Sequence, residues 1–407
     1  MSPYDQSYFE HRVSQFYEGV DRDFRTLGCE KVGTHDIGFR LSRMATPTVE
    51  YSEIKRICAD IDGTPLHAND ASGHRRWPMA WGRASKRYKE IGEQAENRGH
   101  QVTACLNFLR ASLLAHSGQM FCRPEWPEKL ELQKERTECY RRAAPGLGIE
   151  RIEIPYKGHH LPGYMWTPET SSKPPVVIMA PGANSVKEEL HRWAQAFRTR
   201  GIATLTFDGP GQGELTPLQG SALPMRIEEY HQAFTAVIDH LERNYQATVD
   251  VERIALWGQS LGGYFVTRTY AFEKRPIALV NLGGPPTMMQ YPHLPGDVVE
   301  EMRDLMGFQT MEETWTYFQE HSDALHFAKE IDIPFLIIHG SRDDLIEDSL
   351  MDRLVETVGD TAELIVYKDG NHGVFNWDFV MTDRMADWLA DRLSIDGHIE
   401  RPPVGTS

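Results

Sequence analysis

The sequence predicts an α/β protein: a doubly wound, mostly parallel sheet behind an all-helical N-terminal domain. Three observations predict it. Short unbroken apolar runs recur at 176–180, 203–207, 254–257, 277–282, 335–339 and 364–367, and such runs suit strands buried on both faces. Helical periods separate them, most clearly over 225–245, where Ile227, Tyr230, Phe234, Val237, Leu241 and Tyr245 share one face. Strand–helix alternation of this kind implies parallel strands with helices on both sides of the sheet. Before residue 148 the apolar spacing is three and four instead of continuous, which is the helical period.

In chain order, 4–26 and 49–61 read as helices, and 62–81, with its Gly, Pro, His and two Trp, reads as loop. Residues 83–97 carry Ala84, Tyr88, Ile91 and Ala95; Gly99 and His100 interrupt; 100–117 then carries Val102, Leu106, Leu109 and Leu113. Two amphipathic helices across a short break make an αα-hairpin. A further helix over 125–143 starts after Pro124 and stops before Pro145-Gly146. Alternation over 149–156 and a second short strand over 161–167 suggest a β-hairpin that opens the sheet. The expected division is a helical cap domain at 1–147, a catalytic domain at 148–395 and a disordered tail at 396–407.

One connection is long. Between Leu282 and Ile333 lie roughly fifty residues, against the few that join neighbours in compact domains. It holds Met288, Met289, Tyr291, Met302, Met306, Trp315, Tyr317 and Phe318. This lid-like insertion, about 284–332, reads either as pocket wall or as helices packed on the N-terminal domain. Met288, Met289 and Tyr291 are its candidate substrate-binding residues.

Charge and cysteine content narrow the function classes. The 407 residues carry 43 Lys+Arg against 59 Asp+Glu, a net −16. Such a chain repels nucleic acid and anionic lipid surfaces, and Arg75-Arg76 and Arg141-Arg142 are too short to form a basic patch. No run approaches the roughly 20 apolar residues of a membrane helix. The first ten residues lack the basic and apolar regions of a secretory signal, so a cytoplasmic location is expected. Cys29, Cys58, Cys105, Cys122 and Cys139 are odd in number and contain no CxxC pair, which predicts reduced thiols. His159-His160 has no third ligand nearby, so no metal is expected. The Gly-rich run from Asp208 to Glu214 lacks the spacing of a dinucleotide or phosphate loop and reads as a tight structural loop, so no cofactor is expected.

The chemistry is carried by Gly258-Gln259-Ser260-Leu261-Gly262, between an apolar run and an apparent helix over 263–273. A serine on so sharp a turn needs small neighbours, and its hydroxyl is presented at the carboxyl edge of the sheet. A serine nucleophile needs a base, and the base an orienting acid. The run 335–339 leads into Asp343, and the run 364–367 leads into His372. The order Ser260, Asp343, His372 places all three past the ends of parallel strands. Asp344 competes with Asp343; His339 competes with His372 but lies within a strand run. For the oxyanion the donors would be the N–H of Leu261 and that of Ala183, in the loop after 176–180, with Asn184 the alternative.

These residues resemble the α/β-hydrolase superfamily. The helical N-terminal part, Pro181-Gly182 before Lys187-Glu188-Glu189, the loop Asp208-Gly209-Pro210-Gly211-Gln212-Gly213-Glu214, and Gly258-Gln259-Ser260-Leu261-Gly262-Gly263-Tyr264 narrow the resemblance. It is to the capped group containing 2,6-dihydroxypseudooxynicotine hydrolase, the fermentation-respiration switch protein and fungal polyketide-shortening hydrolases. The resemblance implies a helical cap over the active site, a possible homodimer, and hydrolysis of a carbon–carbon bond in a ketone or related acyl chemistry through an acyl-enzyme. Some members carry an extra acid after the strand that follows the elbow. Here the matching stretch, Gly283 to Tyr291, has no carboxylate before Asp297, which leaves ester or thioester hydrolysis open. An acyltransferase or cyclase would use the same triad, and a non-catalytic binding scaffold is the reading from another class.

Overall fold

Apolar runs of four to six residues can bury themselves on two faces by sharing one sheet between helices; those within the sheet do so here, while the run 364–367 forms the edge strand and leaves Val366 49% exposed. The computed structural model describes residues 4–26, 43–44, 49–63, 75–120, 122–221 and 223–393. Its eight strands are β1 (Glu150–Tyr156), β2 (His159–Trp166), β3 (Pro175–Ala180), β4 (Ala203–Phe207), β5 (Asp250–Gln259), β6 (Ala278–Leu282), β7 (Phe335–Gly340) and β8 (Ala362–Tyr367). They lie in the order β1-β2-β4-β3-β5-β6-β7-β8. β1 and β2 pair antiparallel, as do β2 and β4, and the remaining pairs are parallel. Every residue of β3, β4, β6 and β7 is buried. β5 extends the expected run at its polar start, from Asp250 to Arg253, which is only partly buried.

The β1–β2 hairpin turns on Lys157 and Gly158, with φ of 46° and 78°, the positive pair that a two-residue hairpin loop matched to strand twist requires. His159 and His160 open β2 opposite Tyr156 and Pro155. From β3 the chain moves to β4 on one side and to β5 on the other. The loops after β3 and β5 therefore diverge from adjacent strand ends, with Ala180 paired to Gly258. That is the switch point at which open α/β sheets form a crevice.

The N-terminal part is helical: Gln6–Thr26, Tyr51–Gly63, Arg76–Asn97, Gln101–Gly118 and Pro127–Ala143. Two local expectations are corrected. The two ends of the expected loop 62–81 are helix, 76–81 because Trp77, Ala80 and Trp81 are fully buried with the two indoles 5.1 Å apart. Pro78 is tolerated there because it sits in the first turn, where its missing N–H has no intrahelical acceptor to lose. Residues 64–74 lie outside the described residues. On the following helix, Val102 is 74% and Leu106 37% exposed. Its buried face runs instead through Ala104, Phe108, Ala111, Leu114 and Ala115 with Leu109 and Leu113. Small residues win that face because the hairpin is close: a Cβ on Gly118 would lie 2.8 Å from the Cβ of Trp81.

The long connection forms the helices Gly296–Met306, Met311–His321 and Leu325–Ala328. Met302, Leu305, Met306, Trp315 and Phe318 join the core on one side of the sheet. The first helix of the chain packs on it: Arg12 Nη2 donates to the carbonyls of His293 and Leu294 at 3.1 and 3.2 Å, and Gln6 Oε1 accepts from the N–H of Met311 at 2.8 Å. Cys58, Cys105, Cys122 and Cys139 are buried free thiols; Cys29 and the expected tail at 396–407 lie outside the described residues. Among the described residues no helix is long and apolar enough to cross a membrane, and no group of three or more His, Cys, Asp or Glu is gathered as a metal would need.

Candidate active site

β5 ends at Gln259, and the helix Leu261–Thr269 begins two residues later. Ser260, between them, has φ 52° and ψ −119°, a region that costs a non-glycine residue on the order of 1–3 kcal/mol. The turn is held by the Ser260 N–H donating to Leu282 O at 2.8 Å and the Gly263 N–H donating to Ser260 O at 2.8 Å. A Cβ on Gly258 would stand 2.1 Å from Gly262 O, and one on Gly262 2.2 Å from Ala180 O. Both glycines are thus required by close backbone approach, and the strained turn turns the serine hydroxyl out of the sheet.

The three loop residues expected at the sheet edge come together. Ser260 Oγ lies 2.9 Å from His372 Nε2, and His372 Nδ1 lies 2.8 Å from Asp343 Oδ2. The carboxylate can only accept, so Nδ1 carries the proton and Nε2 is the basic nitrogen facing the serine. Asp343 is itself fixed: its Oδ1 accepts from the N–H groups of Leu345 and Ile346, both at 2.9 Å. Its side chain is fully buried and that of His372 nearly so. Asp344, the competitor, lines the cavity beside Ser260 instead. His339 is buried behind the carboxylate, with Nδ1 3.7 Å from Asp343 Oδ2 and Nε2 2.8 Å from Asp348 Oδ1.

Leu261 is the first residue of its helix, and its N–H has no acceptor within that helix. Ala183 and Asn184 line the same cavity as Ser260 and His372. Gly182 stands against the elbow, where a Cβ would be 3.2 Å from Ser260 Cβ. The Gly-rich loop is the support for this second loop. Gln212 Nε2 donates to Pro181 O and Gly182 O at 3.1 and 2.9 Å, and Tyr230 Oη donates to Gln212 Oε1 at 2.6 Å. Below it, the fully buried Lys187 ammonium meets Asp208 at 2.6 Å and Glu188 and Glu214 at 2.7 Å each. Burial works against the charge of Glu214, but Lys187 and Arg151 outweigh it and hold its pKa down at about 2.

Two charged cavity residues escaped the sequence reading. Arg43 lines it from the N-terminal segment, and Glu301 from the helix Gly296–Met306. Glu301 is the first carboxylate past β6 to line the cavity. Lys129 Nζ, on the helix Pro127–Ala143, donates to it at 2.7 Å. Burial opposes the charge of Lys129, and Glu301 with Asp304 more than offsets this, so its pKa is raised. Neither residue belongs to a local motif, so no sequence signal marked them. Pro295, Val298 and Leu345 supply apolar wall. Met288, Met289 and Tyr291 are not among the lining residues. Tyr291 is buried against Phe9 and Phe318 with its hydroxyl on Val299 O at 3.1 Å, Met288 is core, and Met289 is exposed. The apolar character of Met288 and Tyr291 is spent on packing the insertion, which periodicity cannot distinguish from a pocket wall.

The model of the prolyl oligopeptidase family matches residues 191–395, a stretch that includes Ser260, Asp343 and His372. A 2,6-dihydropseudooxynicotine hydrolase of Paenarthrobacter nicotinovorans is 30% identical over 329 residues, covering 80% of this chain and 87% of the relative. The 20-hydroxy-prefusarin hydrolase of Gibberella moniliformis is 32% identical over 222 residues, 51% of this chain and 52% of the relative. The chain thus aligns with about half the length of that fungal protein. Among solved structures, a 2,6-dihydroxy-pseudo-oxynicotine hydrolase superposes with a TM-score of 0.76 at 28% identity, covering 86% of this chain and 95% of its own. AbyA5, at TM-score 0.64 and 19% identity over 84% of this chain and 93% of its own, shares the fold.

Proposed function

This chain belongs to the prolyl oligopeptidase family of α/β-hydrolases and is a hydrolase; on that footing we propose that it cleaves a largely apolar carbonyl compound through an acyl-enzyme on Ser260. The observation that carries the reading is the unbroken path from Ser260 Oγ through His372 to a buried, doubly accepting Asp343.

His372 Nε2 takes the hydroxyl proton as Ser260 Oγ bonds to the carbonyl carbon, and Asp343 stabilises the imidazolium that results. The carbonyl oxygen becomes an oxyanion facing the N–H groups of Leu261 and Ala183. Collapse breaks the bond to the leaving group, which takes the proton from His372. Water then gives a proton to His372 and its oxygen to the acyl carbon; the acid leaves and Ser260 recovers its proton. The same steps serve an alkoxide, a thiolate or a carbanion stabilised by a second carbonyl as leaving group. The resemblance to hydrolases of the 2,6-dihydroxypseudooxynicotine group and the fungal relatives favours the carbanion, from a polyketide-like or aromatic ketone. The apolar wall of Pro295, Val298 and Leu345 suits such a body, and Glu301 gives it a polar end to meet.

The test is intact mass after exposure to a small alkyl fluorophosphonate. One adduct on the native protein and none on Ser260→Ala is the expected result, followed by a screen of p-nitrophenyl acetate, a thioester and a β-diketone. Folded native protein that takes no adduct would overturn the serine mechanism.

A further inference from the structure

Arg43 comes from the N-terminal segment, far in sequence from the catalytic residues, yet its side chain is 2% exposed and stands in the wall of the Ser260 cavity. A guanidinium presents five N–H donors in a rigid fork. Nε and Nη2 both donate to Glu189, Nη1 donates to Asn184 Oδ1 at 2.8 Å, and Nη2 approaches Asn184 O at 3.5 Å. Glu189 is equally engaged: Ser185 Oγ donates to Oε2, and His116 Nε2, from the helix Gln101–Gly118, lies 3.1 Å from the same oxygen. Burial alone would raise the pKa of Glu189; the charge of Arg43, aided by the hydrogen bond from His116, reverses that and holds it well below the usual range. The carboxylate therefore neutralises the guanidinium and fixes its plane. What the fork grips with its remaining arm is Asn184, the residue next to Ala183.

We propose that Arg43 is a positioning residue for the oxyanion hole: through Asn184 it sets the Ala183 N–H against Ser260, so the N-terminal region completes the catalytic site. The loop from Pro181 to Asn184 is otherwise held from one side, by Gln212 on the Pro181 and Gly182 carbonyls. Arg43 supplies the clamp on the other side. Oxyanion donors act only when aimed at the developing charge, and loss of one costs about 10²–10³ in rate. A donor left in place but loosely held loses part of that. The inference rests on the acyl-enzyme reading of Ser260.

The experiment compares native protein with Arg43→Ala, Arg43→Lys, Asn184→Ala and the double variant, using p-nitrophenyl acetate as probe and fluorophosphonate titration to count active sites. Arg43→Ala strands Glu189 and threatens folding; Asn184→Ala removes the gripped acceptor and leaves the Arg43–Glu189 pair whole. The expected result is a fall in kcat per titrated site of about 10–100-fold in each alanine variant, with KM changed less than threefold. Arg43→Lys, which keeps the charge but not the fork, recovers part of the loss. The double variant is no slower than the worse single one, because both cut the same link. Asn184→Ala with native kcat per site, or a loss in Arg43→Ala confined to KM, would overturn the proposal while leaving the Ser260 mechanism standing. Native protein that takes no titrant would remove both.

Discussion

The proposed role of Ser260 rests on three numbers: a φ of 52°, 2.9 Å to His372 Nε2, and the 2.8 Å step from His372 Nδ1 to Asp343. On the proposed mechanism Ser260 and His372 act as one unit, so Ser260→Ala and His372→Ala are each expected to lower kcat by about four to six orders of magnitude, with no further loss in the double variant. Asp343→Asn is expected to keep the geometry but reverse the hydrogen bond that holds Nδ1 protonated, lowering kcat by about 10⁴. Steady-state turnover of whichever ester the native enzyme accepts measures all four. At this scale the sequence was highly legible for the triad. The elbow glycines flank the serine in sequence, and each partner follows directly on an apolar run. It was less legible for the acid at the cavity, since Glu301 is brought in on a helix of the insertion and paired with Lys129 from a helix more than a hundred residues earlier.

Among the elements, the helical hairpin shows how two local effects compete. Gly118 ends the helix Gln101–Gly118, and alanine there would ordinarily gain up to about 1 kcal/mol in helix propensity. Its Cβ would meet the Cβ of Trp81 at 2.8 Å and Leu132 Cδ1 at 3.2 Å. The first contact is fixed to a neighbouring helix backbone, so the helices must part, and overpacking costs about 1–3 kcal/mol. Gly118→Ala is therefore expected to lower the urea midpoint; a raised midpoint would show that the hairpin yields. On the insertion, Thr310 caps the helix Met311–His321 by accepting from the N–H of Glu313 at 3.1 Å, while Glu313 Oε2 accepts from the N–H of Thr310 at 3.1 Å. Thr310→Ala is expected to cost about 1 kcal/mol of stability, read from the same denaturation curve. The sequence reading placed the hairpin but misjudged its buried stripe. Apolar residues lie on more than one side of 101–118, and only the partner helix decides which side is covered.

For the whole molecule, burial of polar groups sets the response to pH and to charge removal. His191 is buried, stacked on Trp166 and hydrogen-bonded to Tyr140, and burial lowers its pKa from 6.5 to about 4. His116 is shifted down as well, by burial that outweighs the attraction of Glu189. A group depressed on folding binds its proton more readily in the unfolded chain, so the stability it adds is present above pH 6.5 and is lost as pH falls toward 4. For His191 that amounts to roughly 3 kcal/mol. Denaturant titrations between pH 7 and 4.5 are expected to fall more steeply for the native protein than for His191→Phe; equal slopes would remove His191 as a cause. Lys187→Met is expected to cost about 3–5 kcal/mol, because Asp208 would stay buried without its cation and Glu188 would keep only Arg136, at 3.4 Å.

By itself the sequence determined the class of fold and the grouping of Ser260, Asp343 and His372 at its centre. Unbroken apolar runs admit only a two-sided sheet, a glycine-flanked serine admits only a tight turn, and His372 and Asp343 lie within a few residues of strands whose ends must share one edge. Each of these is a local rule: a few neighbouring residues carry the whole physical constraint. The tertiary structure decided what local rules do not reach. It chose which face of a helix is covered, turned the Met-rich insertion into packing, and made Gln212 a brace. It also brought Arg43 and Glu301 from distant segments to the serine's cavity, and Lys129 to Glu301. Those residues owe their place to a paired buried charge, and a buried charge is stabilised only by the partner that folding delivers.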